Sequence, residues 1–151
     1  MWVITFFSKT WRIGTITMKQ AAFAPGFRLS IVDVFVLVGG TMGAIVLSMY
    51  GWWWGFILAF VLAHFFLFCN IARIARSLEL IWAGVFVSLA GTTIAFEMPG
   101  WLVTVPVSLF VTVVVVVVEM RKPSYHGVGW QRINPGLPEW WEARVAEKDG
   151  G

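Results

Sequence analysis

Four apolar runs, each close to twenty residues long and separated by short breaks, constrain this 151-residue chain more than any other feature. They occupy 31–49, 52–71, 79–97 and 101–119. About twenty apolar residues, rising 1.5 Å each in a helix, span the roughly 30 Å hydrocarbon core of a bilayer. Lipid offers the backbone no hydrogen-bond partners, so a spanning segment must satisfy its own amides. That predicts helices even through the valines of 113–118. The composition agrees: 59% of residues are hydrophobic and 13% charged, against about 25% charged in soluble domains. A soluble fold of this length would lack the polar surface to cover itself.

The breaks are short. "YG" separates the first two runs, "MPG" the last two, and 72–78, "ARIARSL", the middle pair. Short links make consecutive helices antiparallel neighbours. The expected fold is therefore all-α: an integral membrane, four-transmembrane-helix up-down bundle over 30–119. Lys and Arg mark its cytoplasmic side. Lys9, Arg12, Lys19 and Arg28 precede the first run, Arg73 and Arg76 lie in the middle link, and Arg121, Lys122 and Arg132 follow the last. The other two links carry no Lys or Arg. With four spans, all three positive segments share one side, and both termini are expected in the cytoplasm. A multi-pass protein of a bacterial inner membrane is the expected setting.

Residues 1–29 are expected to form an N-terminal interfacial amphipathic segment. Thr5, Ser8, Lys9, Arg12, Thr15 and Lys19 recur at spacings of three and four, opposite a wide apolar face. Such a helix lies along the headgroups rather than across the bilayer. A signal peptide ending at "AFA", 22–24, fits less well, because charges interrupt the apolar stretch and a proline follows the cut site. Residues 120–151 form a tail too short to bury a core of its own. Within it "NPG" predicts a turn, and "PEWWEARVAEK" a short helix with Pro138 at its first position.

Few residues inside the expected membrane region carry chemistry. The single cysteine, Cys69, excludes an intrachain disulfide, and two histidines exclude a His-rich metal site within one chain. The sequence contains no glycine-rich phosphate loop, HExxH or GxSxG. Asp33 belongs to a capping box begun by Ser30. Glu97 and Glu119 end their helices within reach of headgroups. Arg73 and Arg76 set topology and can meet anionic lipid.

His64 is the deep polar residue, roughly 13 Å inward from Arg73. Three readings stand. It is a structural imidazole bonded to a hydroxyl on a facing helix (Thr41, Ser48, Ser88, Thr92 or Thr93), an axial ligand for a haem or chlorophyll-type pigment, or a member of a transport pathway. Small residues form the other pattern. Gly39 and Gly43 make a GxxxG pair beside Gly40, Ala44 and Ser48, and Gly84, Ser88 and Gly91 share one side of the third run. Small rows let helices approach closely, within the chain or towards another subunit. The tryptophans predict two aromatic belts. Trp52, Trp53, Trp54 and Trp101 fall on the outer side, and Trp2, Trp11, Trp82, Trp130, Trp140 and Trp141 on the cytoplasmic one.

These features predict a non-enzymatic accessory or assembly subunit of a larger membrane complex. Small-residue and aromatic faces, with Trp140 and Trp141 on the tail, would meet other integral membrane subunits or further copies of the chain. Lipids are expected as partners and nucleic acid is not. The alternatives are a small oligomeric transporter or channel with His64 near the pathway, and a pigment-binding subunit with His64 as ligand.

Overall fold

A computed structural model describes residues 23–149. The described residues are helical, with no strand among them. Helix α1 spans Ile31–Tyr50 and α2 spans Trp52–Phe66, running on as a π-helical turn over Leu67–Ala72. Helix α3 spans Arg76–Phe96, α4 Trp101–Met120, α5 Trp130–Ile133 and α6 Leu137–Asp149. Helices α1, α2 with its π turn, α3 and α4 are each long and apolar enough to cross a membrane. The interfacial helix expected in the first segment lies outside the described residues, and 23–29 are not helical.

The spans begin and end for local reasons. At α1 the capping box is complete: Val32 N–H donates to Ser30 Oγ at 3.3 Å, and Ser30 N–H to Asp33 Oδ2 at 2.7 Å. At α3 the helix starts at Arg76, three residues before the expected boundary. The turn ahead of it is closed on both sides. Ile74 N–H donates back to Phe68 O at 2.9 Å, Arg73 takes a left-handed φ of 50°, and Ala75 N–H donates to Glu119 Oε2 at 3.3 Å. Leu78 and Glu79 can then bond Ala75 O at once, so the charged end enters the helix. Glu119 itself is buried. It holds Lys122 Nζ at 2.7 Å and ties the end of α4 to the α2–α3 turn, instead of reaching headgroups unpartnered.

Among the described residues helix α1 packs chiefly along α2. A Cβ added at Gly40 would meet the Leu62 side chain, one at Gly43 would lie 3.3 Å from Leu58, and one at Gly55 would strike Ala44 O and Ser48. The main core lies elsewhere. Phe68 of the π turn, Trp82, Phe86 and Ala90 of α3, and Val115 of α4 are buried together, with Phe60 and Val61 of α2 packed against them.

The tail docks on the π turn. A π turn leaves carbonyls unpaired at its end, and two of them accept from distant segments: Ile71 O from Val128 N–H at 2.8 Å, and Asn70 O from Arg28 N–H at 3.3 Å. Gly127 is needed here, since a Cβ would collide with the Ala72 backbone. Tyr125 is 1% exposed and donates its hydroxyl to Val128 O at 2.9 Å, and Leu137 is buried beneath α6. Burial, then the charge of Glu119, pushes the Tyr125 phenol above its ordinary value. A raised folded-state pKa means that its contribution to stability is intact below the ordinary phenol value of about 10 and is lost as pH rises through the folded value. With Tyr50→Phe, Tyr125 becomes the sole tyrosine. Its tyrosinate absorbance should then appear above pH ~10, together with release of the tail. A midpoint at or below the ordinary value would show the phenol to be solvated.

Candidate functional site

The site is built from columns of side chains four residues apart, the spacing that stacks neighbours on one helix face. Helix α2 and its π turn supply Phe60, His64 and Phe68, and α3 supplies Trp82, Phe86 and Ala90. The columns interleave. The His64 ring stacks on Trp82 with centroids 4.3 Å apart and planes 18° apart, and Phe60 lies 4.3 Å from it on a tilted plane. Phe68 meets the imidazole edge-on at 5.8 Å. Trp82 in turn stacks on Phe86, with centroids at 5.3 Å and planes 7° apart.

His64 is 6% exposed, and its Nδ1 lies 2.7 Å from Phe60 O. A carbonyl only accepts, so Nδ1 carries the proton of the neutral ring. The polar partner is thus the backbone one turn back, not a hydroxyl on a facing helix. Four of the five hydroxyls proposed for that role are bonded elsewhere, Thr41 being the exception. Ser48 donates to Ile45 O, Ser88 to Gly84 O, Thr92 to Ser88 O and Leu89 O, and Thr93 shares a 2.8 Å bond with Thr104. The i−4 carbonyl is always within reach in a helix, whereas a hydroxyl on another helix must face the right way.

Trp82 is not a belt residue. It is buried, and its Nε1–H donates to Thr112 Oγ1 at 2.8 Å and to Ser108 O at 3.2 Å. Those acceptors belong to a third column on α4, Thr104, Ser108 and Thr112, all buried. Ser108 donates to Thr104 O at 2.7 Å and Thr112 to Ser108 O at 2.8 Å. Inside lipid each hydroxyl needs a partner, and helix–helix hydrogen bonds there average about 0.6 kcal/mol. The α3–α4 contact therefore has a polar seam from Thr93–Thr104 to Trp82–Thr112. Thr104, Ser108 and Thr112 are not among the residues singled out from the sequence. The seam's signal was three hydroxyls at i, i+4 and i+8 in a helix otherwise rich in valine.

The remaining singled-out residues scatter. Gly43 faces α2, while Gly39 has no atom within 4 Å of an added Cβ. Gly84 and Gly91 are equally open, and Ser88 is exposed, so the small row of α3 faces outward. Arg76 is exposed at the start of α3, and Arg73 Nη1 donates to Ala24 O at 2.6 Å. Trp140 receives the Arg144 guanidinium 5.4 Å above its ring, and Trp141 packs on Phe23. Asn70 was missed. It is buried, and with its amide nitrogen towards α1 it donates to Arg28 O and, at 3.0 Å, to Asp33 Oδ2. It thereby joins the ends of α1 and α2.

Chemically this arrangement is a packed aromatic core in which His64 Nδ1 is turned onto the backbone and the Trp82 indole onto α4. Among the described residues no cluster of His, Cys, Asp or Glu is arranged to hold a metal. A cavity of about 590 Å³ forms a groove between α1 and α2, lined by Thr41, Ala44, Ser48 and Gly55 rather than by His64. No family model matches the chain, and neither a curated protein nor a solved structure matches it.

Proposed function

We propose that the chain is a non-catalytic accessory or assembly subunit of a larger membrane complex, folded as an up-down four-helix bundle with both termini on the cytoplasmic side of a bacterial inner membrane. The observation that carries this reading is the outward small row of α3. Among the described residues nothing lies within 4 Å of a Cβ added at Gly84 or Gly91, and Ser88 between them is exposed; small rows are where helices of separate proteins approach in lipid. Helix α1 adds to it, because only 6% of its membrane window is buried. Packing around His64 favours assembly over the alternatives. A pigment ligand presents its free ring nitrogen to a disc-shaped cavity, and a pathway residue faces a channel. This imidazole is instead enclosed by Phe60, Phe68 and Trp82.

The test is gentle detergent extraction from the native membrane, followed by sizing and mass spectrometry of wild type, Gly84→Leu and Gly91→Leu. Partner subunits should co-purify with the wild type. The two variants should lose them while keeping the wild-type melting temperature. A lone wild-type monomer, or variants that retain every partner, would overturn the reading.

A further inference from the structure

A second cavity, of about 450 Å³, lies at the membrane-surface end of α1 and α2, where the segment before α1 crosses the docked tail. Phe23, Phe27, Arg28, Arg73, His126 and Trp141 line it. Three backbone facts build its walls. Gly26 N–H donates to His126 O at 2.7 Å, Arg28 N–H to Asn70 O, and the Arg73 guanidinium to Ala24 O. A guanidinium has five N–H donors, so Arg73 is pinned at the rim with donors to spare.

Two cations therefore share one cavity, and among the described residues no acid is paired with either. No carboxylate lines it. Among the described residues the ion pairs are Lys122 with Glu119 and Arg144 with Glu147. Asp33, the nearest acid in sequence, already accepts from Ser30 and Asn70. The residues before Phe23 add Lys9, Arg12 and Lys19 and contain no Asp or Glu. Arg73 is held below its usual pKa, first by burial and then by the charge of Arg28. Arg28 is exposed and Arg73 half-buried, so the pair is open to an anion from outside the chain.

We propose that this cavity binds a phosphate anion, with Arg28 and Arg73 clamping its oxygens and the aromatic wall of Phe27 and Trp141 receiving the apolar part of the molecule that carries it. Arginine pairs suit phosphate because the planar fork can bond two oxygens at once. The position at the helix ends is that of lipid headgroups, so an anionic phospholipid and free phosphate share the required chemistry. This inference does not depend on any partner subunit.

The test uses the full chain in detergent. Phosphatidylglycerol, phosphatidylcholine and inorganic phosphate are titrated separately, and bound molecules are counted by native mass spectrometry. Wild type should bind phosphatidylglycerol in preference to phosphatidylcholine. Arg28→Gln, which leaves the Arg73–Ala24 contact in place, should weaken that binding about fivefold, the share expected of one basic residue at a membrane surface. Arg121→Gln removes a charge from the same side but outside the cavity, and should leave binding unchanged. Equivalent saturation by inorganic phosphate would identify free phosphate as the ligand and still support the site. Equal binding of the two lipids with no phosphate bound, an unaffected Arg28→Gln, or an equal loss in Arg121→Gln would overturn it.

Discussion

Replacing Trp82 with alanine should lower the unfolding free energy of the detergent-solubilised protein by about 3–5 kcal/mol, the range for truncating a buried large aromatic. The indole touches three elements at once. It stacks on His64 of α2, lies edge-on to Phe68 of the π turn, and bonds Thr112 and Ser108 of α4. Truncation removes the stack and leaves a void where no side chain of α2 can collapse without losing its own aromatic contacts. Trp82→Phe separates the two contributions. It keeps most of the ring contact and removes the donor, so it should be milder by at least half, with about 1 kcal/mol attributable to the bond. Unfolding in mixed micelles with increasing denaturing detergent, followed by circular dichroism, measures both. A Trp82→Ala loss below about 1 kcal/mol would place the indole in lipid rather than in the core.

Gly55→Leu carries the second large effect. Overpacking normally destabilises by about 1–3 kcal/mol and occasionally more, and here the obstruction is backbone. The new Cβ would meet Ala44 O and Ser48 Cα, neither of which can rotate away. The two helices would have to separate, and among the described residues α2 is the main neighbour of α1. A loss near 3 kcal/mol is expected, together with disappearance of a disulfide cross-link engineered between α1 and α2. Gly39→Leu is the matched control, since nothing lies within 4 Å of its added Cβ. It should leave the unfolding free energy within about 0.5 kcal/mol of wild type. Equal effects at the two glycines would mean that α1 presents a different face to α2.

The spans were readable in the sequence because bilayer thickness fixes their length: the expected 31–49, 52–71 and 101–119 agree with the observed helices to one residue at each end. Which face of each span turns inward was not readable in the same way. In lipid both the buried and the exposed sides are apolar, so hydrophobic periodicity, which orients a helix in water, carries little information. Trp82 illustrates this. Its place near a helix end matched the belt rule, yet hydroxyls on α4 drew it into the core. His64 is buried, but its partner was sought across helices when the carbonyl of Phe60 was closer. For Glu119, burial depends on the α2–α3 turn folding back against α4, a long-range event with no local signature. The polar seam was the one missed element with a pattern in the sequence. Thr104, Ser108 and Thr112 fall on one stripe among residues that otherwise tolerate lipid anywhere.

The π turn at the end of α2 has a consequence for the order in which the molecule is completed. Its spare carbonyls hold a segment made before the first span and another made after the last, and Gly26 finds its own acceptor only on His126. While the ribosome is still adding α4, the stretch entering α1 can already bond Asn70 and Arg73, but Gly26 still lacks its acceptor. That last bond forms only when the tail emerges, so the segments flanking the four long helices close on each other late.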